Sequence, residues 1–212
     1  MVERGYRIVH IDAWLVVIDK AWGILSVPGI GPEKADCIAL RVGEDIAGAR
    51  IVHRLDRDTS GLMVLARDAV THRKLSMQFE ARSVRKRYFA CVSGHPALDR
   101  GTIDLPIAKD FAHAPRQKID HAHGRPSVTD YEVIARLDAP LRARLHLYPR
   151  TGRSHQLRLH LLTIGHPILG DDLYAPDSVR AMSPRLCLHA DQLAFTHPAT
   201  GEELSCDCPA TF

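Results

Sequence analysis

The segment from His53 to Ala66 joins a polar turn directly to a continuous apolar run. Residues 53–61 read H-R-L-D-R-D-T-S-G and residues 62–66 read L-M-V-L-A. An apolar run without alternation is typical of a strand buried on both faces. A short loop on such a strand can hold one ionised carboxylate, here Asp56, in a cleft. Taken alone, however, an Asp at this kind of position is more often a structural turn former.

Most strand-like segments of the chain come in neighbouring pairs, with helices interspersed. This arrangement predicts an α+β fold with a mixed, largely antiparallel sheet and flanking helices rather than alternating βαβ units. The predicted strand pairs are 6–11 with 14–18, 127–137 with 142–148, and 186–190 with 192–195; single strands are predicted at 22–29, 62–66 and 87–92. The predicted helices are 35–46, 69–82 after an Asp68 cap, and 155–164. Residues 94–126 are expected to form a long excursion with one short strand at 102–107.

Composition and length are those of one soluble globular domain. The 212 residues are 45% hydrophobic and 25% charged, and they contain no apolar run long enough for a transmembrane helix. Without a secretory signal pattern, a cytoplasmic protein is expected. The odd, scattered cysteines predict no disulfides. The pair Cys206 and Cys208 offers two metal ligands where a structural zinc site needs four, so no metal is expected.

The distribution of positive charge favours a nucleic-acid partner more than the net charge of +3 does. Residues 82–87 contain four cations, and residues 136–158 contain six arginines and one acid. Arginine suits bidentate contacts with phosphate. The turn and helix start at 149–161, with Arg150 and Arg153, could also form a phosphate site. A solvated basic face and an ordinary capped helix are the alternatives left open.

Three motifs, in order, resemble the RluA family of RNA pseudouridine synthases. The first is the H-R-L-D-x-x-T-S-G loop around Asp56, the second is the K-x-Y element at 86–88, and the third is T-G-R-S-H-Q-L-R-L-H at 151–160. The stretches G-H-P-I-L-G-D-D-L-Y at 165–174 and L-C-L-H-A at 186–190 are also similar to the family. The resemblance runs from about residue 14 to residue 209.

The resemblance implies roles for residues of this chain. Asp56 would be the catalytic carboxylate, Arg158 would pair with it, and Tyr88 would stack on the target uracil and is a candidate for deprotonating C5. Arg54 would fill the gap left by the flipped uridine. Further RNA contacts are expected from a set of basic residues: Arg57, Arg85, Lys86, Arg87, Arg150 and Arg153.

The resemblance also implies a fold and a substrate. It predicts one catalytic domain over 1–212, with an active-site cleft across the sheet and without the N-terminal S4-like RNA-binding domain that many members carry. The compact length and the 166–171 stretch are similar to the short dual-specificity members, which act on a 23S rRNA hairpin and on the anticodon stem-loop of certain tRNAs. The protein is expected to act as a monomer without a cofactor. The segments that select the RNA substrate are expected to be 82–87 and 94–126.

Two other hypotheses about the function remain open. One is a non-catalytic RNA-binding or RNA-folding protein that retains the fold. The other is a hydrolase that uses Asp56 as nucleophile, with Asp58 as its nearest second carboxylate. The histidines His113, His121 and His123 are assigned no role beyond a His-rich loop.

Overall fold

The computed structural model describes residues 4–212 and divides them into two compact units. Unit 1 comprises the chain up to Lys86 together with His189–Thr211, and unit 2 comprises Arg87–Leu188 with Phe212. Residues 1–3, where the predicted single domain begins, lie outside the described residues. That the two units act as one catalytic domain stays a prediction. Within residues 4–212, no helix combines the length and the apolar character needed to cross a bilayer.

The described chain contains twelve strands and four α-helices. The strands, β1 to β12, are Tyr6–Ile11, Leu15–Lys20, Arg50–Ile51, Ser60–Ala66, Arg85–Ser93, Arg100–Asp104, Ile107–Lys109, Gln117–Ile119, Val128–Asp138, Leu141–Pro149, Leu188–Thr196 and Glu203–Asp207. The helices, α1 to α4, are Ile38–Asp45, Ala69–Glu80, Gln156–Thr163 and Asp177–Arg180.

Unit 1 is a mixed sheet built around β4. Strand β2 pairs antiparallel with β1 and β4, β4 runs parallel to β11, and β12 returns antiparallel along β11. All seven residues of β4 are buried, as the apolar run predicted. Helix α2 begins at its predicted cap, where the Asp68 carboxylate accepts a hydrogen bond from Thr71 N–H (2.8 Å). Leu75 of α2 packs into the core between these elements.

Unit 2 is an antiparallel sheet with a helix against its core. Strand β10 lies between β5 and β9, and β6 pairs with the outer side of β9. Strands β7 and β8 form a separate hairpin. Leu157 and Leu161 of α3 pack with Leu145 and Leu147 of β10 in the core of this unit. Among the strand pairs described above, β4 with β11 is parallel and the others are antiparallel, which confirms the predicted α+β, largely antiparallel fold.

Three predictions of strands were wrong. Residues 22–29 contain only an isolated bridge from Leu25 to Cys37, because backbone groups of this segment bind elsewhere, such as Gly23 N–H to the Arg57 carbonyl (2.9 Å). The predicted pair 186–190 and 192–195 is instead the single strand β11, whose partner is β12. The excursion 94–126 holds three strands, β6, β7 and β8, rather than one.

Candidate active site

The loop that carries Asp56 lies between β3 and β4 in unit 1, and its preceding residue is tied to a buried serine. Ser26 Oγ donates to the Leu55 carbonyl (2.7 Å) and accepts from Leu55 N–H (3.1 Å). Both Ser26 and Leu55 are buried. The Asp56 carbonyl accepts a hydrogen bond from Thr59 N–H (3.2 Å), which closes a tight turn over residues 56–59. Asp56 itself is half-buried.

The residue after Asp56 is held by a buried ammonium group that the sequence analysis did not single out. Lys20 is fully buried, and its Nζ donates to the carbonyls of Ala21 (2.8 Å), Ile24 (2.8 Å) and Arg57 (3.0 Å). A charged donor shared by three carbonyls makes strong hydrogen bonds in a buried site. Lys20 and Ser26 thus fix the backbone on both sides of Asp56. The sequence feature that could have indicated this role is a lysine at the end of an apolar strand.

Two other motif residues of this loop, His53 and Gly61, have structural roles. His53 stacks on Phe79, and its Nε2 accepts a hydrogen bond from Val64 N–H (3.1 Å). Burial, with the charge of Lys86 nearby, lowers the pKa of His53 to about 3, so the ring is neutral and able to accept. Gly61 has φ +113°, and a Cβ there would lie 2.3 Å from the Ala190 carbonyl oxygen. The close parallel pairing of β4 with β11 therefore requires glycine.

Four of the predicted RNA-binding residues belong to unit 1. Arg54 and Arg57 are exposed, and Arg57 pairs with Asp58 (3.0 Å). Arg85 is also exposed and pairs with Glu203 (2.6 Å). Lys86 is partly buried, and burial together with the charge of Arg82 lowers its pKa. Arg54, Arg57 and Arg85 are therefore accessible to a phosphate, whereas Lys86 is less so.

Arg158 is the central side chain of the site in unit 2. It is 2% exposed; its Nε donates to Asp171 Oδ2 (2.8 Å), and its Nη2 donates to Asp171 Oδ1 and to Asp172 Oδ1 (2.9 Å). Its guanidinium lies over the ring of Tyr174, 5.3 Å from the centroid. Two carboxylates stabilise the buried charge and orient it. Asp171, Asp172 and Tyr174 lie in the stretch 165–174 that is similar to the family, but the motif pattern predicted no role for them.

Gln156 and His160 of the third motif connect α3 to neighbouring elements. Gln156 is buried and satisfied by four contacts: its amide donates to the Val128 carbonyl and Thr129 Oγ1, and its oxygen accepts from Thr151 Oγ1 and Arg153 N–H. These bonds fasten the start of α3 to β9. His160 is also fully buried between Thr129 Oγ1 (3.0 Å) and the Leu105 carbonyl (3.1 Å), and burial lowers its pKa.

Tyr88 and three of the predicted RNA-binding residues also belong to unit 2. Tyr88 lies on β5 opposite Leu147 and is partly buried against the core. Arg87 precedes it and is also partly buried. Arg150 is exposed but binds Asp130 through two nitrogens (2.6 and 2.9 Å). Arg153 donates to the Pro126 carbonyl (3.4 Å). The predicted pairing of Asp56 with Arg158 joins residues of different units and stays a prediction.

One group of metal-ligating side chains occurs among the described residues. Asp19, His189 and Cys208 place one ligand atom each within 4.8 Å of one another. The Arg7 guanidinium lies 3.4 Å from both Asp19 Oδ2 and Cys208 Sγ, and burial raises the pKa of the Cys208 thiol to about 11. His189 is already bound by Ser60 Oγ (2.8 Å) and the Cys208 carbonyl (2.9 Å). A nearby cation and a protonated thiol disfavour a metal here.

Comparisons with known proteins identify the class. Residues 14–163 match the family model for RNA pseudouridylate synthase. The chain is 50% identical over 205 residues to the dual-specificity RNA pseudouridine synthase RluA of Pasteurella multocida, covering 97% of this chain and 93% of that protein. It is 45% identical over 210 residues to the protein of the same name from Escherichia coli K12, covering 99% and 95%.

Solved structures agree with these relatives. Human RNA Pseudouridylate Synthase Domain Containing 1 superposes with a TM-score of 0.82 at 29% identity, over 99% of this chain and 85% of that one. Human RNA Pseudouridylate Synthase Domain Containing 4 gives a TM-score of 0.75 at 28% identity, over 95% and 87%. This chain belongs to the RNA pseudouridylate synthase family. The predicted enzyme class, an isomerase that converts uridine to pseudouridine in RNA, is thereby confirmed.

Proposed function

We propose that this enzyme modifies two kinds of RNA, a hairpin of 23S rRNA and the anticodon stem-loop of certain tRNAs. The proposal is supported by the words "dual-specificity" in the names of relatives that are 45% and 50% identical over nearly the whole chain. A stem-loop suits the reaction, because bases in loops are more easily unstacked than bases in a duplex. We further propose that the enzyme acts as a monomer in the cytoplasm.

Asp56 is the proposed catalytic carboxylate. The observation that carries this assignment is the fixed backbone on both sides of it, through Ser26 to Leu55 and through Lys20 to Arg57. The reaction breaks the bond from C1′ to N1 of uridine, turns the uracil, joins its C5 to C1′ and releases the C5 proton. Asp56 acts either by attack on C1′, forming an ester bond that breaks when C5 joins C1′, or by removal of the C2′ proton, which returns to C2′ when C5 joins C1′. Both routes require an ionised, well-positioned carboxylate.

Other residues would act on the base and the RNA backbone. Arg158 would pair with Asp56 and keep it ionised. Tyr88 would contact the uracil and is the candidate for removing the C5 proton. Flipping the uridine costs a few kcal/mol, and exposed Arg54 would fill the space that the base leaves. Phosphate contacts are proposed for the remaining basic residues of the sites: Arg57, Arg85, Lys86, Arg87, Arg150 and Arg153.

Release of tritium from C5-labelled uridine in RNA tests this function directly. Total tRNA and protein-free 23S rRNA are each incubated with the wild-type protein, Asp56→Ala and Asp56→Asn, in the presence of EDTA. We expect the wild-type protein to release tritium from both RNAs, because the isomerisation involves no change of oxidation state and needs no redox partner. The variants should release none above background, because they lack the Asp56 carboxylate. Release from only one RNA would contradict dual specificity. Release by Asp56→Ala would contradict the catalytic assignment.

A further inference from the structure

The ring of Tyr174 lies against the face of the buried Arg158 guanidinium. The central carbon of the guanidinium, Cζ, is 5.3 Å from the ring centroid, which is within the range of a cation–π interaction. The Asp171 carboxylate holds an edge of the same guanidinium through Nε and Nη2. Edge contacts fix the group within its plane but resist tilting weakly, because hydrogen bonds to carboxylate oxygens tolerate a broad range of directions. The ring contact resists this tilt.

Both ends of Tyr174 are fixed within unit 2. Its backbone N–H donates to Asp171 Oδ1 (3.0 Å). Its hydroxyl accepts a hydrogen bond from Gln117 N–H (2.8 Å) and lies 2.8 Å from His155 Nδ1. Because the amide uses only a lone pair of the hydroxyl, the hydroxyl proton is available for His155 Nδ1. Strand β8, the residue before α3 and the turn after α3 therefore all orient one aromatic ring.

His155, which meets this hydroxyl, has an unusual backbone conformation. Its φ of 54° and ψ of 17° lie in the left-handed region, which few residues other than glycine adopt. Its imidazole meets the ring of Tyr174 edge-on, with centroids 5.6 Å apart and an interplanar angle of 81°. Residues held in such conformations cluster at functional sites. Here the conformation occurs three residues before Arg158, and it accompanies the contact with Tyr174.

We propose that Tyr174 is a positioning residue for the reaction: its ring, oriented by His155, sets the plane of the Arg158 guanidinium. This inference rests on the proposed function, in which Arg158 pairs with Asp56. A catalytic group that is misplaced by about 1 Å can slow a reaction about 100-fold. A tilted guanidinium should therefore slow the isomerisation without weakening the binding of RNA.

The test measures kcat and KM for tritium release from an anticodon stem-loop and a 23S hairpin. For Tyr174→Leu, which removes the ring, we expect kcat to fall by about 10- to 100-fold and KM to stay within about twofold of wild type. Tyr174→Phe keeps the ring and loses only the hydroxyl contacts. Its kcat should stay within about fivefold of wild type, because one hydrogen bond contributes a modest net free energy.

His155→Asn separates positioning from folding. Asparagine adopts the left-handed conformation readily and caps helices well, so thermal unfolding should occur at the wild-type temperature. The variant lacks the imidazole, and its kcat should fall by about as much as that of Tyr174→Phe. Both variants remove the same contact, so the double variant should be no slower than the slower single one.

A second double variant tests whether Tyr174 acts through Arg158. Arg158→Lys retains the charge but has no plane to align, so adding Tyr174→Leu to it should lower kcat less than about twofold. Tyr131→Leu is the matched control, because this side chain is another half-buried tyrosine packed against the core of unit 2. Its stability should fall while its kcat stays at the wild-type value.

Several outcomes would overturn the positioning role. One is an equal loss of kcat in Tyr174→Leu and Tyr131→Leu, and another is an undiminished effect of Tyr174→Leu in the Arg158→Lys background. A raised KM with wild-type kcat in Tyr174→Leu would assign the ring to RNA binding instead. If Tyr174→Leu does not fold, the pair Tyr174→Phe and His155→Asn decides, since additive losses of kcat would overturn the shared contact.

Failure of the proposed function has a different signature. Absence of tritium release by the wild-type protein from either RNA would overturn the proposed function itself. Wild-type kcat in Arg158→Lys would overturn the proposed role of Arg158. A loss of kcat in Arg158→Lys together with wild-type kcat in Tyr174→Leu would overturn only the inference about Tyr174.

Discussion

Arg158 and Asp171 form a bidentate ion pair inside unit 2, in which Arg158 Nε lies 2.8 Å from Asp171 Oδ2 and Nη2 binds Oδ1. Both side chains are almost completely buried. Asp171 Oδ1 also accepts from Leu173 N–H (2.9 Å) and Tyr174 N–H (3.0 Å), so one carboxylate orients the arginine and shapes the following turn. The orientation of Arg158 thus depends on a residue that does not itself need to touch the substrate.

Asp171→Asn should therefore destabilise the protein strongly. An amide cannot accept from both guanidinium nitrogens while serving the turn, and it leaves the buried charge poorly compensated, at a cost of about 3 kcal/mol. Urea unfolding measures this loss. Asp172→Asn is the matched control, because this carboxylate is 35% exposed and makes one contact to Arg158; its cost should be about 1 kcal/mol or less. Equal losses for the two variants would contradict the prediction.

Lys20→Met should weaken both folding and activity. Methionine fills a similar volume but leaves three carbonyls without their shared donor, at a cost of about 3 kcal/mol in the free energy of unfolding. Because one of these carbonyls belongs to Arg57, next to Asp56, kcat for tritium release should also fall by more than tenfold. The control is Lys34→Met, whose side chain is 59% exposed. Wild-type kcat in Lys20→Met would show that this contact does not position the loop.

His53 should make the protein less stable in mild acid. Its folded-state pKa of about 3 lies below the value near 6.5 expected in the unfolded chain, so the unfolded state binds more protons between these values. The free energy of unfolding should fall as pH drops from about 6.5 toward 3, by up to about 1.4 kcal/mol per pH unit from this group. Urea unfolding at pH 7.5, 6 and 5 measures the slope. His53→Gln, which can still accept from Val64 N–H, should show a shallower slope.

Gly61→Ala should prevent normal folding of unit 1, or lower its stability by more than 3 kcal/mol. The new Cβ would meet backbone atoms of Ala190 at 2.3 Å, and φ +113° is strained for any side chain. Gly43→Ala is the control, because nothing lies within 4 Å of a Cβ at this helical position. That variant should be more stable by about 0.5–1 kcal/mol. Circular dichroism and thermal unfolding of both variants provide the comparison.

Local patterns in the sequence were sufficient for much of the fold and for the enzyme class. The buried strand predicted at 62–66, the Asp68 cap and the β9–β10 hairpin all follow from periodicity or turn chemistry within a few residues. The motifs around Asp56, Tyr88 and Arg158 were sufficient for the family, which the comparisons then confirmed. The roles of those three residues remain predictions.

Contacts between distant parts of the chain decided the rest. The predicted strands 186–190 and 192–195 left Asp191 between them, yet β11 continues through this residue because β12 pairs along the strand and Cys208 N–H donates to the Asp191 carbonyl. Lys20 looked like an ordinary charged strand end, but it reaches a carbonyl 37 residues away. Sequence by itself determined most of the secondary structure and the chemistry that recurs in motifs, because both depend mainly on neighbours in the chain. Only the tertiary structure decided which polar side chains are buried and which groups they hydrogen-bond, because these partners come together only when the chain folds.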